Sequence, residues 1–117
     1  MTPFGERMRE MRASRGVSQK AMAAAIGVSP AYLSALEHGR RGRPGWDLLQ
    51  RIILYFNVIW DEAEDLQRLA GLSHPRVVVD TTGLSPEATR LANLLAERIR
   101  HLDDAMLRRL IAEIIQA

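Results

Sequence analysis

Residues 18–39, SQKAMAAAIGVSPAYLSALEHG, hold two short helix-forming runs, each opened by a serine and separated by Gly27 and Val28. A serine hydroxyl accepts a hydrogen bond from an orphan N–H of a first helical turn. Ser18 therefore predicts a helix over Gln19 to Ile26, which Gln, Lys and Ala propagate well. Gly27 suits the left-handed turn that a side chain resists. Ser29 caps again, and Pro30 fits the first position of a second helix, where its missing N–H costs nothing and its fixed φ is already helical. Met22, Ile26, Val28, Leu33 and Leu36 are spaced to close one seam between the two helices, and Ala21, Ala23 and Ala25 allow close approach.

Such a pair, with its second helix along the outside, is a helix-turn-helix, and its outer helix is available to the major groove of double-stranded DNA. The charge distribution agrees. Residues 1–60 carry nine Lys/Arg against four Asp/Glu, whereas residues 61–117 carry seven against ten. The electropositive field therefore belongs to the N-terminal half, as a phosphate-binding face requires, and a neutral or acidic remainder suits a protein partner.

The other elements follow from caps and periodicity. Thr2 and Pro3 open a helix that carries Phe4, Met8 and Met11 and stops at Gly16. After Gly39 comes the basic loop RRGRPG, then Trp46 to Phe56, in which Trp46, Leu49, Ile52, Ile53 and Phe56 form a broad apolar stripe. Trp46 and Trp60 are expected in the core. A fifth helix is expected over Ile59 to Ala70, acidic on its outer face and ended by Gly71. Residues 76–82, RVVVDTT, have the β-branched density of a short strand, which needs a partner that the two-fold mate of a dimer would supply. Ser85-Pro86-Glu87 opens a further helix, and Asp103 can cap a last one; no Gly or Pro decides between one helix and two over residues 86–116. The organisation expected is residues 1–71 as a DNA-binding domain and 72–117 as a dimerisation tail. In that tail Val77, Val78, Val79, Leu91, Leu95, Ile99, Leu102, Leu107 and Ile111 supply the interface, because its apolar stripe is wide for so short a segment.

Several function classes are disfavoured. At 117 residues the chain has room for one domain with a core plus an oligomerisation element. The absence of cysteine removes disulfides, thiolate metal sites and cysteine nucleophiles, and suits a reducing cytosol. No apolar run approaches the ~20 residues of a membrane span, and no signal-peptide core is present, so a cytoplasmic protein without membrane contact is expected. His38, His74 and His101 lack partners at ligand spacing, so neither a metal nor another cofactor is expected. Asp61, Glu62, Glu64, Asp65, Asp103 and Asp104 fall where negative charge favours a helix start or a solvated face rather than catalysis. With no phosphate loop or nucleophile elbow, no enzyme is expected.

The combination SQ…GVS…LS..E.G…P resembles the helix-turn-helix of the Cro/CI repressor, or XRE, family, and the likeness extends over roughly residues 3–71. It implies an all-α fold: a five-helix lambda-repressor-like DNA-binding domain, followed here by the short strand and one or two C-terminal helices. The resemblance places residues 30–38 as the recognition helix. It also implies that Gln19, with Ser29, His38, Arg40, Arg41 and Arg43, contacts DNA phosphate. Arg12 and Glu37 would form a structural ion pair. Pro30, Ala31, Tyr32, Ser34 and Ala35 occupy the base or groove positions, where small groups replace bidentate readers, so methyl contact, water and DNA shape gain weight. The place where some relatives carry a minor-groove arginine is Gly45, with Arg43 the nearest substitute. Two functions follow: a homodimeric transcriptional regulator, a repressor, nucleoid-associated when bound; or an interaction module such as an antitoxin, whose tail binds another protein.

Overall fold

The computed structural model describes residues 1–117. Its elements are α1 (Pro3–Arg15), α2 (Gln19–Ile26), α3 (Pro30–Glu37), α4 (Trp46–Phe56), α5 (Asp61–Gly71), α6 (Pro86–Arg98), a 3-10 turn (Ile99–His101) and α7 (Asp104–Gln116). The chain divides into two compact units, Met1–Val77 and Val78–Ala117.

Local chemistry sets most boundaries of the first unit. The hydroxyls of Thr2, Ser18 and Ser29 accept from the N–H groups of Gly5, Ala21 and Tyr32, and Gly16 and Gly27 end α1 and α2 in the left-handed region. Phe4, Met8, Met22, Leu33, Leu36, Ile52 and Leu66 are fully buried in one core, joined by Ala23, Ile26, Phe56 and Ala70. The ends of the unit are also tied. Ser73 Oγ accepts from the Phe4 N–H at 2.9 Å and donates to the Leu69 carbonyl, joining the start of α1 to the end of α5. The unit's α1 crosses the end of α3 so closely that a Cβ on Gly5 would stand 2.1 Å from the Glu37 carbonyl oxygen.

Three expectations need correction. Trp46 and Trp60 are not core residues: they are 72% and 81% exposed. Trp46 is the first residue of α4, and helical side chains lean toward the N-terminus, so its indole projects past the end of the stripe it was grouped with. Helix α5 begins at Asp61 rather than Ile59, after Asn57 and Trp60 have both taken positive φ and Val58 has turned inward. That start puts Asp61, Glu62 and Glu64 in the first turn, where the helix dipole favours them. Finally, residues 76–82 form no strand, because nothing in the chain offers them a ladder.

The second unit settles the count of C-terminal helices at two. Asp103 Oδ1 accepts the Met106 N–H at 2.8 Å, and this cap starts α7. Neither α6 nor α7 buries a single residue. Leu91, Ile99 and Ile111 are exposed, and Leu95, Leu102 and Leu107 half-buried. Ahead of α6, Asp80 Oδ1 accepts the Thr82 N–H at 2.9 Å. This bond, with help from the Thr82 hydroxyl, holds the Asp80 carboxyl below its usual range.

Candidate nucleic-acid interface

The α2–α3 pair is held as a rigid wedge. Met22, Ala23 and Ile26 from α2 and Leu33 and Leu36 from α3 are buried in the common core. The turn between them is braced from α4, where Arg51 donates through Nη1 to the Ile26 carbonyl at 2.9 Å. Nothing in local sequence marks Arg51 for this task, because the contact joins residues 25 apart.

The far end of α3 is fixed by a buried carboxylate. Glu37, 1% exposed, accepts from Arg12 Nε at 2.9 Å on Oε1 and from Arg12 Nη2 at 3.1 Å on Oε2; the arginine side chain is 15% exposed. This is a bidentate, charge-assisted pair with the planar fork of guanidinium matched to the carboxylate. Gln19 joins it: its Nε2 donates to Glu37 Oε2 at 3.0 Å. One amide hydrogen of Gln19 is thus committed to Glu37, which fixes the carboxamide and leaves its second N–H for an outside acceptor.

The outer face of α3 is small. Pro30 and Ala31 are exposed, while Tyr32, Ser34 and Ala35 are half-buried. Ser29 uses its hydroxyl to cap the Tyr32 N–H, and His38 Nδ1 lies 2.8 Å from the Ser34 carbonyl, closing the end of the helix. Of the basic loop, Arg40, Arg41 and Arg43 are exposed while Pro44 is buried. The guanidinium of Arg41 stands over the Tyr32 ring, with Cζ 5.5 Å from its centroid. That cation–π contact couples the loop to α3, so one group expected at phosphate, Arg41, and one expected at the groove, Tyr32, lie side by side. Ser29 Oγ is engaged only as an acceptor, so its O–H remains free to donate to an outside acceptor, while Nδ1 of His38 is engaged at the Ser34 carbonyl and leaves the other ring nitrogen free. No three side chains among His, Cys, Asp and Glu converge at metal-ligand distance, and no helix is long and apolar enough to cross a membrane.

A family model described as a helix-turn-helix domain matches residues 3–72. The chain belongs to this helix-turn-helix family. Over 71 residues it is also 32% identical to the uncharacterized HTH-type transcriptional regulator RghRB of Bacillus subtilis (strain 168), a match spanning 61% of this chain and 49% of that protein. The two findings bear out the XRE-type resemblance read from the SQ…GVS…LS..E.G stretch. The chain spans about half the length of the curated relative it matches. No solved structure matches it. The matched segment coincides with α1–α5, so the α6–α7 tail lies outside the shared part.

Proposed function

We propose that this chain is a sequence-specific double-stranded DNA-binding transcriptional regulator, a homodimeric repressor that lays residues 30–38 in the major groove. The observation that carries this reading is the exposed start of α3, with Arg41 over the Tyr32 ring and Arg40 and Arg43 exposed in the same following loop, on a unit of the helix-turn-helix family. Phosphate fixes register and base edges fix sequence. Arg40, Arg41, Arg43 and the free N–H of Gln19 take the first task, and Pro30, Ala31, Tyr32, Ser34 and Ala35 the second. With no amide or guanidinium on the exposed start of α3, discrimination rests on methyl contacts, water and groove shape. The five-helix domain then has the lambda-repressor-like role, Arg12–Glu37 is its structural pair, and residues 72–117 dimerise through Val77–Val79 and the apolar faces of α6 and α7. Two half-sites about 34 Å apart would be read on one face of the duplex. Gel-shift and footprinting assays, with the promoter region of its own operon included, test this: a protected, sequence-dependent site is expected, and equal affinity for every duplex refutes it.

One observation favours a second reading, an interaction module of the antitoxin kind: no residue of α6 or α7 is fully buried within the chain. A different polypeptide would cover that face as well as a second copy would. Light scattering separates the two. A stable dimer at micromolar concentration supports the regulator, and a monomer that becomes ordered only with a co-expressed neighbour supports the module.

A further inference from the structure

The segment Arg76-Val77-Val78-Val79-Asp80 is left without a structural role by the chain's own fold. Val77, Val78 and Val79 are 77%, 93% and 67% exposed, and none of their backbone N–H or C=O groups has a backbone partner within the chain. The local bonds stop on either side: the Arg76 N–H donates to His74 Nδ1, and the Thr82 N–H to Asp80. Three consecutive β-branched residues with a free backbone have the composition of a strand lacking its neighbour, and their unpaired N–H and C=O groups are a template for a second strand.

The order of the residues says which neighbour fits. Turned antiparallel against itself about Val78, the segment sets Arg76 opposite Asp80, Val77 opposite Val79, and Val78 opposite its own copy. Both charge pairs are attractive, and no side chain lacks a match. A parallel pairing would set Arg76 against Arg76 and Asp80 against Asp80. A slip of one residue would set Arg76 opposite Val79 and Asp80 opposite Pro75, or Arg76 opposite Thr81 and Asp80 opposite Val77, losing both charge pairs and exchanging the two faces.

We propose that residues 76–80 pair with the same segment of a second copy as a two-stranded antiparallel ribbon whose two-fold axis passes through Val78. This rests on the homodimer reading above and adds its register. One face of the ribbon carries the two Arg76–Asp80 pairs flanking the Val78 pair; the other carries four valines, Val77 and Val79 from each copy. Cross-strand opposite charges and β-branched pairs are the units that stabilise such a ladder. A ribbon of two strands is marginal by itself, so it sets the register of an interface whose area comes largely from the exposed apolar faces of α6 and α7.

The chain has no cysteine, so single-cysteine variants of the full chain report the register directly. Val78→Cys places two thiols at a directly opposed pair, with Cα atoms ~4.5–5.5 Å apart, inside the range a disulfide spans. Val77→Cys and Val79→Cys each place like thiols on a diagonal of ~7–8 Å, which is too far. Under mild oxidation Val78→Cys is expected to form covalent dimer at least about tenfold faster than either neighbour alone. Val77→Cys and Val79→Cys mixed after subunit exchange should cross-link to each other. Charge reversal is the independent measurement: Arg76→Asp and Asp80→Arg each turn two attractive pairs repulsive and should weaken dimerisation by about tenfold, and the double variant should recover most of that loss. Equal cross-linking at all three positions overturns the ribbon, as does failure of both Val78→Cys to cross-link and the double reversal to recover in a protein that light scattering shows to be dimeric. Either result leaves the homodimer reading standing. A monomer at micromolar concentration overturns both, whether or not it still binds DNA.

Discussion

Replacing Arg12 with alanine tests how the outer helix of the helix-turn-helix is held. The arginine makes two bonds to Glu37, at 2.9 and 3.1 Å, and the carboxylate it serves is 1% exposed. Arg12→Ala leaves that charge inside the protein with only the Gln19 carboxamide as a side-chain donor. Breaking one side of a buried ion pair typically costs ~3–5 kcal/mol. The guanidinium here retains some contact with solvent, 15% of its side chain, and water can enter the space it vacates, so the lower end, about 3 kcal/mol, is expected. For a unit of the size of Met1–Val77, that lowers the melting temperature by roughly 12–24 °C. The assay is thermal or urea unfolding followed by circular dichroism, completed with the Glu37→Ala and double variants. Because the double variant strands no charge, it should be more stable than Arg12→Ala alone, giving a coupling of at least ~1 kcal/mol. An Arg12→Ala protein melting within about 2 °C of wild type, or a double variant showing simple additivity, would refute the assignment.

Further outcomes follow from the same packing. Gly5→Ala gains intrinsic helix propensity of up to ~1 kcal/mol yet forces a Cβ to 2.1 Å from the Glu37 carbonyl oxygen, backbone that cannot rotate away; a net loss of about 2 kcal/mol or more is expected in a urea melt. Gly71→Ala, with nothing within 4 Å of the added carbon, serves as the control and should be neutral or slightly stabilising. Ser73→Ala removes both the acceptor for the Phe4 N–H and the donor to the Leu69 carbonyl, so stability should fall by ~1–3 kcal/mol and the Phe4 amide should lose hydrogen-exchange protection measured by NMR. On DNA, Arg41→Ala should weaken cognate and random duplex alike and reduce the salt dependence by about one unit. Tyr32→Leu, which removes both the ring beneath that guanidinium and a group assigned to the groove, should weaken random duplex less than Arg41→Ala does and also shift sequence preference; a change of sequence preference from Arg41→Ala without loss on random duplex would contradict its role at phosphate.

The linear sequence determined the boundaries of most helices, because the forces that set them act over three or four residues. The caps at Thr2, Ser18, Ser29, Ser85 and Asp103 and the left-handed stops at Gly16 and Gly27 lie where the residue types require. The stop at Asn57 does too, and the family itself was legible in residues 18–39. Periodicity also gave the inner faces of α2, α3 and most of α4, since a helix repeats its faces whatever it packs against.

Burial at helix ends and pairing between distant groups were decided only by the tertiary structure. A stripe pattern cannot tell that Trp46 projects past the end of its helix, or that Trp60 sits at a positive φ ahead of α5 rather than inside it. Nor can it tell that Gln19 is already bonded to Glu37, that Arg51 braces the turn between α2 and α3, or that Ser73 ties α5 to α1. Each of these contacts joins residues 18 to 69 apart in sequence, and at such separations only the path of the folded chain fixes which polar groups come within 3 Å. The strand expected over residues 76–82 marks the same divide: β-branched residues set a preference for extended backbone, but a strand exists only where a second backbone answers its hydrogen bonds.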